Sequence, residues 1–95
     1  PFSILFDNVS VNAAAGTGID IELSNLLVDT IAIDSSTITG GIGNAFNVDL
    51  TNVILNEFNI VDSTLTGQSG AGMTVAMSNS TIEETSIRRS SIDGV

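Results

Sequence analysis

The sequence predicts an all-β protein, a parallel β-solenoid of about three and a half coils, and three observations lead there. The chain matches itself without gaps at an offset of 27 residues, apolar and polar residues alternate within each unit, and the apolar residues are mainly Ile, Val and Leu. Lys, Trp and Tyr are absent and only four Phe occur, so the residues that favour strands outweigh those that favour helices. A chain of 95 residues suits one domain, either a whole solenoid or a fragment of a longer one.

The repeat is read directly. Residues 16–25 (GTGIDIELSN), 43–52 (GNAFNVDLTN) and 70–79 (GAGMTVAMSN) form one set of copies. Residues 33–40 (IDSSTITG), 60–67 (IVDSTLTG) and 87–94 (IRRSSIDG) form the other, and residues 6–12 (FDNVSVN) begin one more copy of that second half. A partial coil over 1–15 therefore precedes coils 16–42, 43–69 and 70–95.

Each segment of the coil has an inward and an outward set. The first strand turns Ile19, Ile21 and Leu23 inward, followed one coil on by Phe46, Val48 and Leu50 and then by Met73, Val75 and Met77. A second strand buries Leu26 and Val28, then Val53 and Leu55. A third buries Ile31 and Ile33, then Phe58 and Ile60, with Ile4 and Phe6 below them. A short fourth segment turns Ile38, Leu65 and Ile92 inward beside a column of Ser36, Ser63 and Ser90. Gly16, Gly40, Gly43, Gly67, Gly70 and Gly94 recur at matching turns, where a positive φ or a close backbone approach is needed. Coils stacked this way rise about 4.8 Å each, the ordinary distance between paired strands.

Asn25, Asn52 and Asn79 share one column, each closing a short run: LSN, LTN and MSN. Asn tolerates the left-handed region that a corner demands, and amides stacked one coil apart can bond as an inward-facing ladder. This resembles the asparagine ladder of right-handed parallel β-helices of the pectate-lyase-like superfamily. Segments such as GIDIELSN and FNIVDSTLTG also resemble β-helix units of phage tailspikes and bacterial surface proteins. The resemblance runs from about Ile4 to Gly94. It implies right-handed winding, in keeping with the hand of parallel crossovers. It implies no single activity, because that superfamily hosts lyases, hydrolases, adhesins and inert spacers.

Charge and composition exclude several functions. Eleven acidic residues stand against Arg88 and Arg89 alone, which disfavours nucleic acids and anionic membrane surfaces. No apolar stretch approaches the roughly 20 residues of a membrane span. With neither Cys nor His, disulfides, thiolate zinc sites and His-dependent triads are excluded, and no cofactor is expected.

The best chemical candidates are Asp20, Glu22 and Asp49 on the outward side of the first strand. Glu22 and Asp49 fall one strand spacing apart, a separation suited to a shared proton or a calcium ion. The diagonal pair Asp20 and Asp49 suits the roughly 6.5–9.5 Å between the carboxyls of an inverting glycosidase. The resemblance implies that acidic residues on one solenoid face carry such a reaction. It also implies a basic residue beside the calcium of a lyase, which this face lacks. The plainer expectation is a solvated face that keeps the sheet soluble.

Thr37, Thr39, Thr64 and Thr66 make outward Thr-X-Thr rows that resemble an ice-binding face. Ser10, Asn12, Ser91 and Asp93 interrupt the rows in the flanking coils. Leu27 and Ile54, with Thr81 beyond them, make an outward apolar stripe suited to an interface with another copy. Arg89 falls one coil beyond Asp62 as an exposed ion pair. The sequons at Asn8 and Asn79 occur at the frequency chance gives in so Ser- and Thr-rich a chain.

The expected function is a structural segment of an extracellular, cell-surface or virion fibre. The expected partner is a second copy in a trimer or an end-to-end stack, with a polysaccharide as a further possibility. A fragment of a polysaccharide hydrolase or lyase, and an ice-binding module, are the alternatives.

Overall fold

The computed structural model describes residues 2–94, and the elements in them are all β-strands. These are β1 (Phe2–Asp7), β2 (Ser10–Asn12), β3 (Ile19–Asp34), β4 (Thr37–Gly40), β5 (Phe46–Val61), β6 (Thr64–Gly67), β7 (Met73–Ser78), β8 (Thr81–Arg88) and β9 (Ser91–Asp93). Every pairing is parallel. One sheet runs β1-β3-β5-β7 with β8 also on β5, and the other runs β2-β4-β6-β9. Paired residues lie 27 apart along the third and fourth faces and wherever β3, β5 and β7 pair: Ile19 with Phe46, Phe46 with Met73, Thr37 with Thr64. The result is a parallel β-solenoid of about three turns. Its extents are 32 × 23 × 17 Å. The shortest matches the height of a stack of so few coils at about 4.8 Å each.

The three strands expected in the first half of each coil merge into one. β3 and β5 each run 16 residues and bend twice without ending. Pairing skips Asn25 and Asn52 at one bend, and Asp29 and Asn56 at the next. Alternation persists between bends, which is why inward positions were legible while strand ends were not. The first face thus carries residues 19–24 and their copies, the second 26–28, the third 30–34 and the fourth 37–40.

The interior is a set of aliphatic columns. Ile31, Ile33, Ile38, Leu50, Val53, Leu55, Ile60 and Leu65 are fully buried. Phe46 sits between Phe6 and Phe58, edge-on to the first with ring centroids 6.2 Å apart and stacked on the second at 6.3 Å. Aromatic pairs in these arrangements add stabilisation beyond the area they bury.

Two corner columns use the left-handed region. Asn25, Asn52 and Asn79 have φ of 54°, 56° and 50°. Asn52 Nδ2 donates to Asn25 Oδ1 at 3.1 Å, but the amides stand exposed at the outer corner and do not face inward. An interior already filled by aliphatic columns leaves a polar amide no room, and solvent supplies its remaining bonds. The second corner column, Asn8, Ser35, Asp62 and Arg89, has φ between 48° and 56° and was not anticipated. No described glycine has a positive φ, and apart from Gly16, whose Cβ would meet nothing within 4 Å, they serve by close approach. A Cβ on Gly67 would meet the carbonyl oxygen of Ala71, and one on Gly40 that of Asn44.

Serine hydroxyls clamp the coils beside the second corner. Ser36 Oγ accepts from the amide of Val9 at 3.0 Å and donates to the Asp34 carbonyl at 2.9 Å. Ser63 Oγ does the same for Ser36 N and the Val61 carbonyl, and Ser90 Oγ for Ser63 N and the Arg88 carbonyl. Each hydroxyl thereby satisfies a corner amide one coil below it, which a bend in the ladder would otherwise strand. Ser80 repeats the device at the first corner, where its hydroxyl accepts from Val53 N at 3.0 Å. Its replacement of an apolar residue in that column therefore gains a hydrogen bond.

Candidate functional site

Strand alternation places Asp20, Glu22 and Asp49 outward and exposed on the first face. Glu22 pairs with Asp49 across β3 and β5, while Asp20 pairs with Asn47. Asn47 Oδ1 accepts from Asn44 Nδ2 at 2.8 Å and from the Thr74 hydroxyl, so a short polar network continues the Asp20 row upward. Ala76 follows Asp49 and ends the acidic column at two carboxylates. Calcium requires six to eight oxygens. Among the described residues no group of three or more acidic side chains gathers around one point.

The threonine rows lie on the fourth face, Thr37 beside Thr64 and Thr39 beside Thr66. Ser10 and Asn12 flank them below, and Ser91 and Asp93 above. On the second face Leu27 and Ile54 point outward, 71% and 44% exposed. Together with Val28, Asp29 and Asn56 they line an open groove of about 350 Å³.

A second open groove, of about 300 Å³, was not anticipated. It lies on the third face between Glu57 and Glu84, Asn59 and Ser86, and Val61 and Arg88, which are paired residues of β5 and β8. The 27-residue offset already aligns those pairs. Only the Glu57–Glu84 pair repeats a residue type; the other two pairs, Asn59–Ser86 and Val61–Arg88, share none, which hid the groove. At its rim Arg89 Nε and Nη2 donate to the two carboxylate oxygens of Asp62 at 2.6 and 3.2 Å. That hydrogen-bonded contact holds the Asp62 carboxyl below its ordinary pKa and raises the Arg89 guanidinium.

No helix among the described residues is long and apolar enough to cross a membrane. Comparison with protein-family models, with curated proteins and with solved structures finds no match to this chain.

Proposed function

We propose that this chain is a structural segment of an extracellular, cell-surface or virion fibre, a shaft or stalk rather than an enzyme. One observation carries the reading: the coils stack in an unbroken 27-residue register with no loop inserted between them. Binding grooves and active sites in repeat folds are built mainly by loops projecting from a rigid scaffold. Here the outward surface consists of strand faces, and the two grooves on the second and third faces are open to solvent. A right-handed winding, the hand that parallel crossovers favour, belongs to the same reading.

Incubation with acidic and neutral polysaccharides, with detection of released products, tests it. A shaft releases none. Product formation that disappears on Asp49→Asn would replace the shaft with a hydrolase or lyase acting from the first face. The paired rows Thr37–Thr64 and Thr39–Thr66 support ice binding as a second reading. It predicts thermal hysteresis that is lost on Thr64→Lys.

A further inference from the structure

We infer that the third-face groove binds a small zwitterion, its ammonium against Glu57 and Glu84 and its carboxylate against Arg88. The inference adds a ligand to the shaft reading without depending on it.

The groove follows from side-chain length. Asn59, Val61 and Ser86 are short and half-buried, and they make its floor. Glu57 and Glu84 rise exposed on one side of that floor and Arg88 on the other. All six are partners across the paired strands β5 and β8, so the groove needs no free strand edge.

The charges across the floor are separated by sign. Glu57 and Glu84 face each other directly, an arrangement in which like charges repel. Glu83, at the adjoining bend, adds to that side, while Asp93 belongs to the fourth face. Among the described residues the one ion pair is Arg89 with Asp62, which leaves Arg88 without a carboxylate partner. Asp34 lies two coils below Arg88 in the same column, about 10 Å away. A ligand bearing one charge of each sign relieves the glutamate pair and supplies Arg88 with its partner.

Hydrogen bonds set the spacing. Arg88 Nε donates to Ser86 Oγ at 3.1 Å, which draws the guanidinium back over the floor and leaves both Nη nitrogens as a fork for a carboxylate. Ser86 stands two residues from Glu84, about 7 Å along the strand. An extended chain spans about 3.5 Å per residue, so two linked residues place a terminal ammonium and carboxylate at that separation. Asn59 Nδ2 donates to Glu57 Oε1 at 3.3 Å and keeps its Oδ1 for an amide or hydroxyl donor, while Ser86 has its own proton to give. A dipeptide, or a disaccharide of an amino sugar and a uronic acid, carries both charges with polar groups between them. The groove is open and its ion pairs are exposed, so binding is weak, on the order of 10 mM.

Chemical-shift titration of the isotopically labelled chain with glycylglycine tests this. Saturable shifts are expected for the amides of residues 57–61 and 84–88 and for the Asn59 side chain. N-acetylglycylglycine lacks the ammonium and glycylglycinamide the carboxylate, and each binds about two- to fivefold more weakly. Free glycine, whose charges stand too close to bridge the floor, is weakened likewise. Glu84→Gln and Arg88→Gln reduce glycylglycine binding to the same degree with the circular dichroism spectrum unchanged, and Asp49→Asn on the first face leaves it unaltered. A glucosamine–glucuronic acid disaccharide is the second arm, and the tighter of the two ligands identifies the source as glycan or peptide. Absence of saturation at ten times the expected dissociation constant overturns the proposal, as does an equal response to the blocked probes or indifference to both groove variants. None of these results bears on the shaft reading, whose failure is polysaccharide turnover.

Discussion

The second and third coils carry nearly the same apolar columns and bury them very differently. Phe46, Val48, Leu50, Leu55, Phe58 and Ile60 in the second coil are at most 2% exposed. Their successors Val75, Met77 and Ile87 are 37%, 45% and 47% exposed. The inward orientation is the same in both, set by alternation along the strand. Burial comes from the coil above, which the second coil has and the third lacks. Stability in such a stack is a sum of neighbour interfaces, so one side chain has a different value at each level.

Substitution within the columns gives the largest expected contrast. Phe46→Ala removes the ring between Phe6 and Phe58 and should cost about 3–5 kcal/mol in urea denaturation. Met77→Ala, in the exposed third coil, should stay within about 0.5 kcal/mol, as surface substitutions usually do. Equal losses would mean that the third coil is packed as tightly as the second. The serine clamp gives a smaller contrast. Ser63→Ala strands the Ser36 amide in a buried corner and should cost about 1–3 kcal/mol. Ser90→Ala breaks equivalent bonds where water can replace the hydroxyl, and should cost less than half as much.

These contrasts also mark how far the sequence could be read. The columns, their register and the outward positions of Asp20, Glu22, Asp49, Leu27 and the threonines follow from period and alternation, which are backbone properties. The Asn25–Asn52–Asn79 corner was visible because one residue type recurs there. The second corner was hidden because Asn8, Ser35, Asp62 and Arg89 share a backbone conformation and no chemistry. Chain geometry imposes that conformation on Arg89, which residue preference alone would not assign to it. Exposure of the asparagine amides was likewise invisible, since it depends on how completely the aliphatic columns fill the interior.

The smallest effect concerns the ion pair that crosses from the second coil to the third. The hydrogen bond from Arg89 lowers the Asp62 pKa in the folded chain. The stabilisation from this group is therefore full above its ordinary value of 3.8 and declines as pH falls through the lowered one. Acid denaturation curves of the chain and of Asp62→Asn should differ at neutral pH and converge at strongly acidic pH. A difference that widens on acidification would reverse the sign of the coupling.

Native-state hydrogen exchange under dilute conditions measures the neighbour dependence coil by coil. β5 is paired on both sides, whereas β7, β8 and β9 are paired on one. Stacking as a sum of neighbour interfaces predicts that the amides of Leu50, Leu55 and Ile60 exchange only through global unfolding, while those of Met77, Ile87 and Ile92 exchange orders of magnitude faster. Equal protection of β5 and β8 would contradict it.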